Sequence, residues 1–403
     1  MALAAASSIR SGNPGVAMDF QASERLHRLP PYLFAELERK QKALREQGKD
    51  IINLGIGDPD QPAPEMVLKK LAETFREEGV HQYSSTQGRD EFRDAVAQWM
   101  RERHGAKIEP KEVCLGVGSK EIIAHIPLAL TNPGDVVLIP EPGYPPYRSG
   151  TIFAMCEPFV MPLRRENRFL PDLDAVPKDV LRRAKILYIN YPNNPTAATA
   201  GKDFYNKVVE FANQHKLLVV SDEAYAELYY EEAPASFLSV DGAKEVGIAV
   251  HSMTKTANMA GWRVAWACGH AKVVDILRGF KANCDSGQFM GFQLAIGHFL
   301  KNGKAEMKKI RDMYQERRDI FVSGMKKIGW DVPSPQATFY VWFPTPKKMN
   351  SMDFTNLLLE QANVVMTPGS GFGTFGDGYM RVALTQTAPR LREAVERISK
   401  LKL

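Results

Sequence analysis

The stretch "GIAVHSMTKTANMAGWRVA" (247–265) runs a short β-rich segment straight into a polar turn that carries a single lysine, Lys255, with Ser252 before it and Arg263 after it. Segments this short, apolar throughout and rich in β-branched residues read as buried parallel strands. "DVVLIP" (135–140), "KILYIN" (185–190) and "LLVVSD" (217–222) are of the same kind. Between and before such runs lie amphipathic helical patterns, among them "EMVLKKLAETFREE" (65–78) and "RDEFRDAVAQWMRERH" (89–104). Alternation of this sort predicts an α/β fold over residues 62–290, a mainly parallel central sheet with flanking helices. Sheets of that type bind ligands beyond the carboxyl ends of their strands, which is where Lys255 falls. From residue 291 to 403 a long helical pattern, "EMKKIRDMYQERRDIFVSGMKKIG" (306–329), precedes the strand-like "FYVWFP" (339–344) and "YMRVAL" (379–384). That order predicts a second, smaller α+β domain. No internal repeat is evident.

Composition narrows the function. A chain of 403 residues with 44% hydrophobic and 25% charged residues is that of a soluble globular protein, and no apolar run reaches the length of a membrane span. The net charge of +5 is spread along the chain without basic blocks or aromatic–basic interleaving, so a nucleic-acid partner is not expected and small anionic substrates suit it better. Cys114, Cys156, Cys268 and Cys284 lie far apart and form no C-x-x-C, which argues against both a disulfide framework and a metal site. A reducing compartment, the cytoplasm, is the expectation. Residues 1–20 open with "MALAAASSIRSGNPGVA" and read as a disordered leader, with a transit-peptide remnant or a start at Met18 as the alternatives.

Three strand ends converge on one chemistry. "ILYINYPNNPTAA" (186–198) leads a strand into an Asn-Pro turn holding Asn194. "VVSDEAYAELYY" (219–230) delivers Asp222 and Tyr225 directly after a buried strand. The opening stretch delivers Ser252, Lys255 and Arg263. A fourth segment, "LGVGSKEIIAHIPLAL" (115–130), is a Gly-rich turn leading into an apolar helix, and the backbone N–H groups of Ser119 and Lys120 at such a helix start form a ready phosphate site. An amine for a Schiff base, an acid to keep a pyridine nitrogen protonated, donors for a ring oxygen and a phosphate cup are together the requirements of pyridoxal 5'-phosphate. An apolar pocket and the cation of Arg263 are expected to favour the neutral, nucleophilic form of Lys255.

Over essentially the whole chain from about residue 20, and most specifically in "SMTKTANMAGWRVA" (252–265), the sequence resembles the class I/II aminotransferases of fold type I. The resemblance implies that family's fold, with residues 21–61 completing the small domain. It implies that Lys255 is the Schiff-base lysine, with Ser252 and Arg263 on the phosphate. Asp222 then partners the pyridine nitrogen, while Tyr225 and Asn194 reach the ring hydroxyl. Tyr144 of "PEPGYPPY" (140–147) stacks on the ring. Tyr83 of "HQYSSTQGRDEFR" (81–93) reaches the phosphate of a neighbouring subunit, hence a homodimer with shared active sites. Gly57 of "LGIGDPD" (54–60) and Arg381 of "GYMRVAL" (378–384) meet the substrate carboxylate, with Lys120 and Asn194 also on the substrate side. The freed lysine would move a proton between the substrate α-carbon and the cofactor C4′. One departure stands out: Ala197 occupies the place of the family's glycine in "NPTG", so the turn is expected to be shaped differently.

Rival readings are weaker. Ser252-Met-Thr-Lys255 spells S-x-x-K, but the companion motifs of serine acyltransferases are missing. "GFGTFG" (371–376) satisfies G-x-G-x-x-G yet is followed by a strand pattern, so it reads as a flexible loop. A ligand sensor fused to a DNA-binding module lacks room for that module before the domain. A β-lyase or decarboxylating relative would share Lys255, Asp222 and Arg381. "LPPYLFAELERKQKALREQGKDIINLGIGDPDQPAP" (29–64) and the stretch through "GVGSKEIIAHIPLALTNPGDVVLIPEPGYPPYRSG" (116–150) resemble the LL-diaminopimelate aminotransferases, which implies amino transfer from LL-diaminopimelate to 2-oxoglutarate. The broader alternative is an alanine, aspartate or aromatic aminotransferase. For the far end of the donor the candidates are Tyr32 and the loop after Tyr83, where Ser84, Ser85, Thr86 and Gln87 replace the family's usual carboxylate.

Overall fold

The structure is a computed structural model that describes residues 20–29 and 34–401, the side chains of 34–37 excepted. The leader up to residue 19 and Tyr32 therefore lie outside the described residues. Twelve strands are present among them: β1 (Ile52–Asn53), β2 (Val113–Val117), β3 (Val136–Glu141), β4 (Glu157–Pro162), β5 (Ala184–Asn190), β6 (Leu218–Asp222), β7 (Gly247–Ser252), β8 (Val264–Gly269), β9 (Tyr340–Pro344), β10 (Val364–Val365), β11 (Thr367–Pro368) and β12 (Tyr379–Ala383).

Seven of these form the central sheet, in the order β2-β8-β7-β6-β5-β3-β4. All run the same way except β8, which is antiparallel to both its neighbours. Every residue of β7 is buried, as is all of β5 except Lys185. That is why these strands show continuous apolar runs and no alternation. β8 escapes the sequence pattern because "VAWACG" is short, rich in small residues and lies directly behind the lysine turn. Its direction matters for function. An antiparallel strand begins where its parallel neighbours end, so Arg263, just before Val264, arrives at the same edge as Ser252.

The register aligns the rest of that edge. Asn190 lies opposite Asp222, Asp222 opposite Val250, Ser252 opposite Ala265, and Val117 opposite Val264. Helices clamp the sheet through stripes of helical period. In the helix Asp90–His104, Phe92, Ala95, Val96, Trp99 and Met100 are buried on one face, and the helix stops at Gly105, whose φ of 68° is the left-handed cap geometry glycine adopts freely. The helix Met290–Asn302 joins the same core through Ala295, Ile296, Phe299 and Leu300.

A second core gathers Ile52 and Leu54 with Phe321, Met325, Val341, Phe354, Val382 and Leu391. β1 pairs in parallel with β10, and β9, β12 and β11 form an antiparallel sheet, so the segment before residue 60 is bound to the C-terminal part of the chain. The Gly-rich 371–376 segment is no flexible loop. It forms two short 3-10 turns, Gly369–Phe372 and Thr374–Gly376, because Phe372 turns inward and packs its ring 4.6 Å from the Arg381 guanidinium carbon. Among the described residues no helix is long and apolar enough to cross a membrane.

Candidate active site

At the shared strand edge a cavity of about 580 Å³ opens between the two cores. It is lined by Gly57, Ser119, Lys120, Tyr144, Asn194, Asp222, Tyr225, Ser252, Lys255, Arg263 and Arg381, which brings together eleven of the residues singled out in the sequence. Tyr83 is not among them: it is 92% exposed on the outer surface of the chain. In the loop behind it Ser84 Oγ accepts from Gln293 Nε2 at 2.9 Å, and none of Ser84, Ser85, Thr86 and Gln87 lines this cavity.

One end of the cavity is built for an anion. Gly118 sits at φ 76° as the last residue before the helix Ser119–Leu130, whose first-turn N–H groups have no partner carbonyl within the helix. A Cβ on Gly118 would come within 2.1 Å of Arg263 Nη2, so glycine is what allows the guanidinium to lie against the helix start. Arg263 itself is left-handed (φ 56°), with Nη1 donating to the Ala260 carbonyl at 3.0 Å and its own carbonyl accepting from Gln288 Nε2. Ser252 Oγ accepts from Thr254 N–H at 3.2 Å. The nearby Glu121 does not spoil the anion site. Its carboxylate is occupied by the Val117 N–H (2.9 Å), the buried Lys281 ammonium (3.1 Å) and His125 (2.5 Å).

Deeper in, Asp222 is 3% exposed and accepts from the Tyr147 phenol (2.7 Å) and from Ala224 N–H (3.2 Å). Burial pushes its pKa up to about 6, against the pull of these two hydrogen bonds. Asn190 joins this acid to the neighbouring turn: its amide donates to the Asp222 carbonyl at 2.8 Å and its Oδ1 accepts from Asn194 N–H at 2.8 Å. The turn beyond is closed by Asn193, whose Oδ1 accepts from Thr196 N–H (3.0 Å) and Thr196 Oγ1 (2.7 Å). Ala197 sits at φ 58°, a left-handed backbone that an L side chain adopts only with strain.

Lys255 Nζ donates to the Gly57 carbonyl at 2.5 Å and lies 5.4 Å from the centre of the Phe339 ring. Its pKa is lowered, above all by burial. Tyr340 and Asp58 oppose the shift, while Arg381 and then Arg263 add to it. The sequence expectation was right in direction, but Arg263 is the smallest of these causes. Gly57 is needed for a separate reason: a Cβ there would meet the Tyr340 hydroxyl at 2.1 Å. That hydroxyl pairs with the Tyr225 hydroxyl at 3.0 Å.

Arg381 is held by neutral acceptors only. Nη1 donates to Asn194 Oδ1 (3.0 Å) and Nη2 to the Gly55 carbonyl (2.7 Å), Nε finds no acceptor, and the guanidinium lies 4.2 Å from the centre of the Tyr340 ring. Among the described residues no carboxylate forms an ion pair with Arg381 or Arg263. A buried guanidinium without a counter-charge is a waiting anion site.

Tyr147, Asn190 and Tyr340 were not legible as site residues. Tyr147 closes the "PEPGYPPY" segment and follows Tyr144 by three, the one signal that places both aromatics on the same side of a turn.

These residues fit pyridoxal 5'-phosphate. A helix start that only glycine leaves open to Arg263, a buried acid, paired phenols beside Asn194, and a lysine biased toward its neutral form supply a partner for each of its polar groups.

Comparison with known proteins agrees. The model of the aminotransferase class I and II family matches residues 49–398. LL-diaminopimelate aminotransferase of Moorella thermoacetica is 48% identical over 384 residues, 94% of this chain and 98% of that protein. The enzyme of the same name from Aquifex aeolicus is 47% identical, covering 95% and 100%. Among solved structures, substrate-bound BacF from Bacillus subtillis superposes with a TM-score of 0.90 at 37% identity, covering 95% of this chain and 98% of that one. A Thermus thermophilus aspartate aminotransferase double mutant superposes at 0.89 with 29% identity, covering 95% and 100%. The chain belongs to the aminotransferase class I and II family.

Proposed function

We propose that this aminotransferase takes the amino group of LL-diaminopimelate and passes it to 2-oxoglutarate, giving tetrahydrodipicolinate and glutamate in lysine biosynthesis. The observation that carries the donor assignment is the near-half identity, over almost the full length of both chains, to enzymes of that name. When bound, pyridoxal 5'-phosphate supplies a carbonyl carbon that takes up the amino group and a ring that accepts the electron pair left on the α-carbon.

The rest is the work of side chains. Arg381 grips the donor α-carboxylate with a charge that no carboxylate among the described residues pairs with, and Gly57 and Asn194 border the same spot. Lys120, at the helix start, lines the same cavity. Lys255 Nζ, favoured in its neutral form by burial, takes the donor α-proton and holds it for return. Asp222 keeps a proton on the ring nitrogen; Tyr225 and Asn194 donate to the ring hydroxyl; Tyr144 covers the ring face. Ser252, Arg263 and the N–H groups of Ser119 and Lys120 hold the phosphate. In this reading the protein is a homodimer in which the exposed Tyr83 completes the phosphate cup of the partner subunit. Its four unpaired cysteines suit a reducing compartment such as the cytoplasm.

The test is a panel of donors on purified holoprotein with 2-oxoglutarate as acceptor. kcat/KM should be highest for LL-diaminopimelate, ahead of aspartate, alanine and aromatic amino acids. A value no higher than that for alanine or aspartate would leave a general aminotransferase and remove the donor assignment.

A further inference from the structure

Successive residues of a strand point to opposite faces of its sheet, so the neighbours of a cavity-lining residue look away from the cavity. Asp222 and Ser252, at the ends of β6 and β7, line the cavity. Glu223 and His251, one position from each, lie on the opposite face and are 1% and 4% exposed. The two strands are still paired there, since Glu223 N–H donates to the Val250 carbonyl at 2.8 Å. None of the steps above uses either side chain.

Glu223 Oε1 is fully engaged: it accepts from Ser221 Oγ (2.9 Å) and from Phe237 N–H (2.9 Å). Its Oε2 lies 3.4 Å from His251 Nε2, and neither atom has another partner. The imidazole is held in place by the Trp266 ring, stacked on it at 5.5 Å. A carboxyl oxygen and a ring nitrogen facing each other in a dry interior need a proton between them. The surroundings put that proton on the acid. Glu227, in the same segment, faces Arg103 Nε at 3.0 Å and Arg311 Nη1 at 3.9 Å, whereas among the described residues Glu223 pairs with no arginine or lysine. Burial pushes the Glu223 carboxyl up to about 7 and the His251 imidazole down to about 3. The other titratable groups nearby do not reverse this order. His104, its ring 5.1 Å from that of His251, is kept neutral by burial, and the Tyr205 phenol and Cys268 thiol are kept protonated by it.

We infer that Glu223 is a positioning residue for the reaction, a neutral acid that donates from Oε2 to His251 Nε2 and so sets the spacing of Asp222 and Ser252 from behind the sheet. This rests on the parts assigned above to Asp222 and Lys255. Asp222 has to meet the ring nitrogen while Lys255, in the turn after Ser252, meets the substrate α-carbon, so the two strand ends must keep one separation. Neutrality matters as well. A charged carboxylate next to Asp222 would raise the proton affinity of both acids, and Asp222 already has its pKa raised to about 6.

The experiment compares Glu223→Gln, Glu223→Met and His251→Phe with the unsubstituted protein. Glutamine keeps both acceptor contacts and offers an N–H to His251, methionine keeps the bulk and removes all three contacts, and phenylalanine keeps a ring against Trp266 but accepts nothing. Holoprotein is assayed with the best donor of the panel above, cofactor affinity is measured by absorbance, and the Asp222 carboxyl of the cofactor-free protein is titrated by NMR. In Glu223→Gln, kcat and the cofactor Kd should stay within about threefold and the Asp222 titration should not move. In His251→Phe and Glu223→Met, kcat should fall by about 10- to 100-fold, while the donor KM, set by Arg381, stays within about threefold. If Glu223→Gln loses as much as Glu223→Met, the acid is not neutral and the inference is overturned. A fall of the Asp222 titration by more than about half a pH unit in Glu223→Gln overturns it too, because a charge has then been removed beside Asp222. A kcat in His251→Phe within about twofold of the unsubstituted protein overturns the positioning role, whether or not Glu223→Met folds. Normal turnover by Asp222→Asn removes the reading of Asp222 itself, a result none of the three substitutions can produce.

Discussion

The phenol of Tyr147 donates a 2.7 Å hydrogen bond to Oδ2 of Asp222, and this bond works against the burial of the acid. Burial alone favours the protonated carboxyl; the phenol and the Ala224 N–H hold the balance at a pKa of about 6. Asp222 is therefore ionised at neutral pH by a small margin. Tyr147→Phe removes the bond and keeps the ring, which stacks on Tyr188 at 5.0 Å. In the cofactor-free protein the titration of the Asp222 carboxyl, followed by NMR, should move up by about 1 pH unit, the size of a hydrogen bond to a charged group. An unmoved titration would show that the Tyr147 phenol does not hold the carboxyl down.

Asp222→Asn should slow donor α-proton removal by orders of magnitude while making the cofactor-free protein more stable. The folded-state pKa lies above the ordinary carboxylate value, so the folded chain holds this proton more tightly than the unfolded one. Ionised Asp222 thus destabilises the cofactor-free fold at neutral pH, and that penalty fades as pH falls from about 6 toward 4. Urea unfolding at pH 7 should show a gain of roughly 1–3 kcal/mol in the variant, shrinking by pH 4.5. Equal stability at pH 7, or a gain that grows on acidification, would contradict the assigned shift.

Gly118→Ala pushes a methyl into Arg263 and forces an alanine to φ 76°. Weakened phosphate binding is the expected result: a cofactor Kd raised at least about tenfold, with turnover largely recovered at saturating cofactor. Titration of apoprotein followed by absorbance measures both. Unchanged affinity would remove Arg263 and this helix start from the phosphate site.

Ala197→Gly should be tolerated in activity and raise stability by no more than about 1 kcal/mol. The left-handed backbone penalises alanine by about 1–2 kcal/mol, and the entropy of an unfolded glycine offsets part of the relief. Destabilisation by more than about 1 kcal/mol would show that the alanine methyl contributes packing that outweighs its strain.

How much of this was written in the sequence depended on distance along the chain. β6 and β7 end in Asp222 and Ser252, and each run of buried residues closes on its polar group, so local pattern sufficed to single them out. Resemblance to a family then gave Lys255, Arg263 and Arg381 their expected roles. Tyr147 and Tyr340 were different. Their value lies in contacts with residues 75 and 115 positions away, and a tyrosine in an apolar segment reads as core until those partners are known. β8 was hidden because only its neighbours make a short run of small residues a strand. Tyr83 shows the reverse: it is exposed on this chain, and the role expected of it rests on resemblance alone.

The most direct test is amino transfer from LL-diaminopimelate to 2-oxoglutarate by Lys255→Ala at saturating pyridoxal 5'-phosphate, followed in a single turnover beside the unsubstituted protein. If Lys255 moves the α-proton, the variant should retain cofactor through Ser252 and Arg263 yet form glutamate at least about 10³-fold more slowly. Glutamate formation within about tenfold of the unsubstituted rate would contradict the account, because a lysine with only a structural part leaves the proton transfer intact.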